Sequence, residues 1–380
     1  MCEQVIIGGK MQRTEVSIIG GGLAGLYAAN QLESRNIKYQ LFDSKPVFGG
    51  RIAGISSSVN SVEKDSSIDV PFYDLGPAWI FPRHLLMQEL VKHMGLSLFS
   101  QYTAGEVMYQ FENIKEPRRI SNTPAEPLYR INNGAYTLIK ALLDNINNQS
   151  INAKHKVTRV TKNTRGWRVS CVVDKVETHT LCQHVIFTLP PRVIARDFCG
   201  ASWMNNILEQ QLKNSQTWMS AQAKVIVTYP KPFWREKGLS GQAFSQVGPI
   251  VEIHDACCSD TGGFALFGFI GIPATQRLRE SQKELKKACI KQLADIFGHD
   301  AYRFEKCYIK DWAKDTDICT GQDQSEGSRH PQINMQTCES SLLGENLYLA
   351  GSEFASSEAG YLEGALLAVN TAIKKLESRL

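Results

Sequence analysis

The run Thr14-Glu15-Val16-Ser17-Ile18-Ile19, followed at once by Gly20-Gly21-Gly22-Leu23-Ala24-Gly25 and then by Leu26-Tyr27-Ala28-Ala29-Asn30-Gln31-Leu32, narrows what this chain can become more than any other feature. Its first six residues are rich enough in β-branched side chains for a short buried strand, and the last seven suit a helix. Between them lies G-x-G-x-x-G, in the order strand, glycine turn, helix. Gly20 permits a tight turn, Gly22 lets the backbone approach a pyrophosphate, and Gly25 lets helix and strand pack closely. Leu23 and Ala24 open the helix, where unpaired N–H groups face an anion. A second strand, Lys38-Tyr39-Gln40-Leu41-Phe42, ends in Asp43 and Ser44, and Asp43 stands 23 residues after Gly20. A carboxylate there accepts hydrogen bonds from both hydroxyls of an adenosine ribose and disfavours a 2′-phosphate. A glycine turn alone can be purely structural; strand, helix and terminal acid together point to a bound dinucleotide.

The chain has 380 residues, which favours two domains with a cleft between them. Lys and Arg number 42 against 38 Asp and Glu, a net charge of only +4. The densest basic cluster is Lys115, Arg118 and Arg119, so nucleic acid is not an expected partner. No apolar run approaches the roughly 20 residues that span a bilayer, and Val5-Ile6-Ile7 is too short for a secretion signal. The expected location is therefore cytoplasmic, away from the membrane. Ten cysteines are scattered from Cys2 to Cys338 without metal-ligand or disulfide-framework spacing, and only Cys257-Cys258 are adjacent. Buried free thiols are expected, and no metal site. His84, His93 and His330 have no carboxylate or nucleophile at recognisable spacing and read as core or solvated histidines.

Further glycine-rich segments select the dinucleotide. Pro46-Val47-Phe48-Gly49-Gly50-Arg51 and Asp74-Leu75-Gly76-Pro77-Ala78-Trp79-Ile80 supply close backbone approach along a longer, bent ligand than NAD. FAD has that shape, and Arg51 offers charge to its phosphates. Near the end, Asn346-Leu347-Tyr348-Leu349-Ala350 reads as a strand and Gly351-Ser352-Glu353 as a close turn. Gly360-Tyr361-Leu362-Glu363-Gly364-Ala365 then opens a last helix with Leu366, Val369, Ile373 and Leu376 at helical spacing. The N-terminus of such a helix stabilises the negative charge that builds on a reduced flavin.

These pieces, with Ala223-Lys224 followed by Pro232-Phe233-Trp234 and with Asp311-Trp312, resemble the flavin-containing monoamine and polyamine oxidase family from Glu15 to the last helix. The fold implied is α/β: a Rossmann-like FAD-binding domain of glutathione-reductase type, with a second α+β substrate domain built on a mixed sheet. Read alone, Lys224 is a solvent-facing strand lysine. The resemblance instead makes it the lysine that holds a water near the flavin, and the main catalytic side chain. Tyr361 matches one of two rings that flank the amine, and Trp312 packs near the flavin or closes the cavity. Val157 matches a valine that meets adenine through its backbone. The family's other ring and its flavin-linking cysteine are missing. Counting from Trp312, their places fall at Gly321 and Gln322, so FAD is expected to be non-covalent unless the alignment shifts to Cys319.

The resemblance divides the chain into an N-terminal extension (1–13), a discontinuous FAD domain (14–82, 131–212 and 340–380) and a substrate domain (83–130 and 213–339). In the FAD domain a helix starts near residue 133, a strand covers 156–160, and another from His184 ends at Pro190-Pro191. The substrate domain takes strands at 224–229, 243–246, 250–254 and 264–270 and a helix at 280–297. Its first piece is short for the family, which implies a cavity that is more open or completed by a partner chain in a homodimer. The sequence stops just past the last helix, so the membrane anchor of some relatives is not expected. The implied reaction passes a hydride from the amine α-carbon to flavin N5, with an imine as product and O2 reduced to H2O2. Two other readings stand beside it: a desaturase or dehydrogenase of a non-amine substrate, and a flavin-binding partner protein without catalysis.

Overall fold

The computed structural model describes residues 6–7, 11–57, 71–122, 126–258, 263–327, 329–333 and 345–380. Cys2, Cys338 and the expected boundary between 339 and 340 lie outside them. Among the described residues, five short strands form a parallel sheet in the order Ile151–Asn152, Tyr39–Phe42, Val16–Ile19, His184–Phe187, Leu347–Leu349. Along the chain that is third, second, first, fourth, fifth. The order reverses beside Val16–Ile19, and a parallel sheet opens a ligand crevice at the carboxyl ends of its strands at such a reversal.

Alternate side chains of this sheet face two different cores. Ile18, Leu41, Ile186 and Tyr348 meet the first helix (Leu23–Glu33), the helix Tyr136–Asp144 and the last helix (Leu362–Glu377). Ile19, Phe42, Val185 and Phe187 meet Trp167, Val169, Trp203 and Leu208 on the other side. Leu366, Val369, Ile373 and Leu376 are all buried, as their helical spacing requires. Much of the second core comes from an antiparallel meander, Lys156–Asn163, Gly166–Val173 and Val176–Cys182. Ile6–Ile7 and Gln12–Arg13 both pair in parallel with its last strand. The leading residues, expected to be an unpatterned extension, thus join a sheet at these two points.

A seven-stranded mixed sheet forms the other large unit, in the order Lys306–Asp311, Ala223–Tyr229, Phe264–Ile270, Ile250–Asp255, Leu239–Ser245, Glu106–Gln110, Arg118–Ile120. All its pairings are antiparallel except Leu239–Ser245 with Glu106–Gln110. Helix Gln282–Phe297 covers one face through Leu285, Cys289 and Leu293. The other face bounds the site. Every residue of Ala223–Tyr229 is buried, so Lys224 is not the solvent-facing strand lysine that its strand read alone suggests. Both faces of that strand are covered, one by the helix layer and one by the cavity wall.

Candidate active site

A cavity of about 570 Å³ gathers most of the residues singled out by sequence. Asp43, Ser44 and Val157 form one group on its wall; Gly20, Gly22, Leu23, Ala24, Gly49, Gly50 and Arg51 form another. A third comprises Gly76, Pro77, Ala78, Trp79, Lys224, Trp312, Gly360, Tyr361 and Leu362. Gly25, Gly351 and Glu353, also singled out by sequence, are set back from the wall. Gly25 serves packing: a Cβ there would lie 1.8 Å from the carbonyl oxygen of Gly20, so only glycine lets the first helix sit this close to the preceding turn.

Two glycine turns make the middle of the cavity. The Gly49 amide donates to the Gly21 carbonyl at 2.8 Å, bringing Gly49-Gly50 against Gly22. Burial pushes the pKa of Asp43 up, while the amides of Lys45 and Gly21 that donate to it, at 2.8 and 2.6 Å, pull it back. Its carboxylate is held in place with acceptor capacity left over. The first-turn amides of Leu23 and Ala24 lack intrahelical partners because they begin the helix. A glycine cradle, a helix N-terminus and a fixed carboxylate at the next strand end fit the pyrophosphate and ribose of a dinucleotide.

Arg51, on the cavity wall, is held by an acid the sequence did not point to. Its guanidinium donates to the two carboxylate oxygens of Glu353 at 2.5 and 3.1 Å and to Ser352 Oγ at 3.1 Å. Glu353 is 1% exposed, so this charge is already neutralised within the protein. Arg51 pins the turn after strand Leu347–Leu349 to the second glycine turn. The lysines on the wall are Lys45, Lys156 and Lys224.

Lys224 Nζ is deeply buried and donates to the Gly76 carbonyl at 3.0 Å. It lies 4.0 Å from the centre of the Phe267 ring and 5.8 Å from that of Phe269. Burial lowers its pKa to about 7, with Asp74 opposing that shift and Arg130 adding to it. Asp74 and Arg130 are themselves buried, 3.7 Å apart. Burial thus brings the neutral amine of Lys224 within reach near neutral pH, where it can accept a proton. Trp312 closes the adjoining wall, its indole N–H donating to the Leu75 carbonyl at 3.2 Å, with Lys310 Nζ over its ring.

The wall beyond Lys224 contains residues that the sequence reading missed. Phe269 pairs with Lys224 on one neighbouring strand and with Glu252 on the next, so all three project from the same face. Trp79 packs on Phe267, Phe269 and His254, and His254 holds Glu252 at 2.6 Å. Only the pairing register reveals this row; period-two alternation within each strand was the available signal.

Tyr361 caps the last helix and sits in an aromatic cluster with Phe81, His84 and His330. Its hydroxyl lies 3.2 Å from His330 Nε2, and His330 stacks on Trp218, which also lines the cavity. His84 is buried and bonded to Glu358 at 3.0 Å. The carboxylate that local spacing did not provide is thus supplied from far along the chain. Gly321 and Gln322 begin a short helix off the cavity wall. Cys319 packs among Ala221, Ala274 and Ala313 instead of lining the cavity, and burial pushes its thiol up to about 12. Among the described residues no group of side chains could hold a metal, and no helix is long and apolar enough to cross a membrane.

Comparisons with known proteins agree with this geometry. A family profile described as flavin containing amine oxidoreductase matches residues 114–372, and one for an NAD(P)-binding Rossmann-like domain matches 18–94. A Dictyostelium discoideum protein named "Probable flavin-containing monoamine oxidase A" is 22% identical over 96% of this chain and 98% of its own length. Among solved structures, a putrescine oxidase bound to putrescine superposes with a TM-score of 0.78 at 16% identity, covering 97% of this chain and all of that one. A cyclohexylamine oxidase from Brevibacterium oxydans gives 0.75 at 16% identity, covering 96% and 99%. With a Rossmann-like unit, a mixed sheet and one cavity between glycine turns and a buried lysine, the chain belongs to the flavin-containing amine oxidoreductase family and is a flavin-dependent oxidoreductase.

Proposed function

We propose that this enzyme is an amine oxidase that holds FAD non-covalently and reduces dioxygen to hydrogen peroxide. The observation that carries this reading is Lys224: a buried amine with its pKa lowered to about 7, on the same wall as the glycine cradle. When bound, the flavin supplies a two-electron acceptor for the hydride of the amine α-carbon, leaving an imine, and dioxygen then takes the electrons. Lys224 Nζ, held by the Gly76 carbonyl, keeps a water in place and moves a proton. Phe267, Phe269 and Trp79 exclude bulk solvent from it, and Tyr361 with Trp218 borders the substrate. The last helix turns its N-terminus to the cavity through Tyr361 and Leu362, favouring negative charge there. Non-covalent attachment is supported by Gly321 at the place where the count from Trp312 puts the family's cysteine, and by the inward packing of Cys319.

Glu252 favours an amine over the non-amine substrates of a desaturase. It places a carboxylate, its side chain 36% exposed, on an otherwise aromatic wall in the row of Lys224. A second cationic group on the substrate would sit there. Under air, the purified enzyme is expected to form one equivalent of hydrogen peroxide per amine consumed. Fast turnover with an artificial acceptor and almost no peroxide would contradict the oxidase assignment.

A further inference from the structure

The segment after Trp312 leaves the seven-stranded sheet and runs across to the end of the cavity marked by Asp43. Four polar links fasten it there. Asp315 accepts from Lys45 Nζ at 2.5 Å, and Asp317 accepts from Ser44 Oγ at 2.9 Å. Asp317 also meets Lys156 Nζ at 3.4 Å, and the Thr316 carbonyl accepts from Arg196 at 2.8 Å. Ser44, Lys45, Lys156, Asp317 and Ile318 all line the cavity.

The two roots of the segment differ in kind from its middle. On one side Trp312 is buried and bonded to Leu75. On the other, Cys319 is packed among alanines and Asp323 is paired with Arg192 at 2.9 Å, both side chains almost fully buried. The ties between these roots are polar, and most of their side chains are partly wet: Lys45 is 26% exposed, Asp315 11%, Lys156 51% and Asp317 30%, with Ile318 buried beside the second root. Partly exposed ion pairs are weak and screened by salt, whereas buried roots are not. The middle of the segment can loosen while its ends stay fixed.

We propose that residues 315–318 are a strap forming the outer wall of the adenosine subsite, and that this strap sets how fast FAD leaves. The proposal rests on the reading of the cavity as an FAD site. It gives an enzyme without a thiol link to its flavin a second means of retaining it, from the half of the ligand opposite the reacting ring.

The test uses the double variant Asp315→Asn/Asp317→Asn, with Arg196→Ala removing a tie from the other side should the double variant fail to fold. FAD release is followed by flavin fluorescence after dilution, and ADP affinity for the apo-protein by calorimetry. ADP carries the adenosine half without the flavin ring. Release is expected to be about tenfold faster in the variant, with ADP affinity weakened by a similar factor, because three weak ties that hold the strap against the cavity are lost together. Salt should accelerate release more in the wild type than in the variant, which has already lost the screened ties. A folded variant with wild-type FAD release and ADP affinity overturns the strap alone. A wild-type protein that takes up no FAD overturns both the strap and the cofactor reading.

Discussion

At Lys224 burial and charge act against each other. The side chain loses water on all sides, and the nearby Asp74 carboxylate only partly restores the charged form. A lysine left with a pKa near 7 changes protonation in the working range, so the limiting rate of flavin reduction should rise with pH through about 7. Lys224→Met should flatten that limb and lower the rate by about 10²-fold, within the usual range for a positioned proton-transfer group. Stopped-flow reduction across pH 6 to 9 checks both. The same shift affects folding, with a definite sign. The folded pKa lies below the unfolded value of about 10.4, so the stability lost to protonation is fully lost below pH 7 and regained as pH rises towards 10. The melting temperature of the wild type relative to Lys224→Met should therefore increase between pH 7 and 10.

Single positions differ in how far sequence reveals them. Gly20, Gly22 and Asp43 could be singled out because turn chemistry is local, whereas Lys224 was reached only through the family resemblance, its strand alone reading as solvent-facing. The ion pair that holds Arg51 was not legible, because its partner Glu353 lies 302 residues further along the chain. His84 and His330 were set aside for the same reason, since Glu358 and Tyr361 reach them only in three dimensions.

Among the elements, the first helix and the last helix converge on the cavity by packing on one face of the parallel sheet. Their closeness depends on Gly25. Gly25→Ala should force helix and turn apart, costing about 1–3 kcal/mol as an overpacked contact does, and should release flavin; thermal melting and the visible spectrum of the purified variant check this. Arg51→Ala is a different kind of break. It leaves Glu353 buried without its cation, for which about 3 kcal/mol is expected from denaturant unfolding. The strands themselves were legible, since Phe264–Ile270 carries no polar side chain and Tyr39–Phe42 is apolar but for Gln40. The register between strands was not, and it is the register that sets Glu252 in line with Lys224. Glu252→Gln should raise KM for a diamine by about tenfold while sparing a monoamine, since one charged contact in a partly dry site is worth roughly 1.5 kcal/mol.

On the scale of the whole molecule, a parallel sheet and a mixed sheet meet at one cavity, each supplying what the other lacks. The parallel sheet offers backbone amides and Asp43 to a dinucleotide; the mixed sheet offers Lys224 and an aromatic wall to a substrate. Acid precipitation should leave FAD in the supernatant, because Cys319 and the helix at Gly321–Glu326 are both off the cavity wall. Yellow colour retained in the pellet would reveal a covalent link. The assignment of an amine substrate is tested most directly by anaerobic mixing of the enzyme with monoamines, diamines and polyamines while the flavin absorbance is followed. Bleaching by at least one amine, slowed in Lys224→Met, is the expected result; a flavin that stays oxidised with every amine would contradict it.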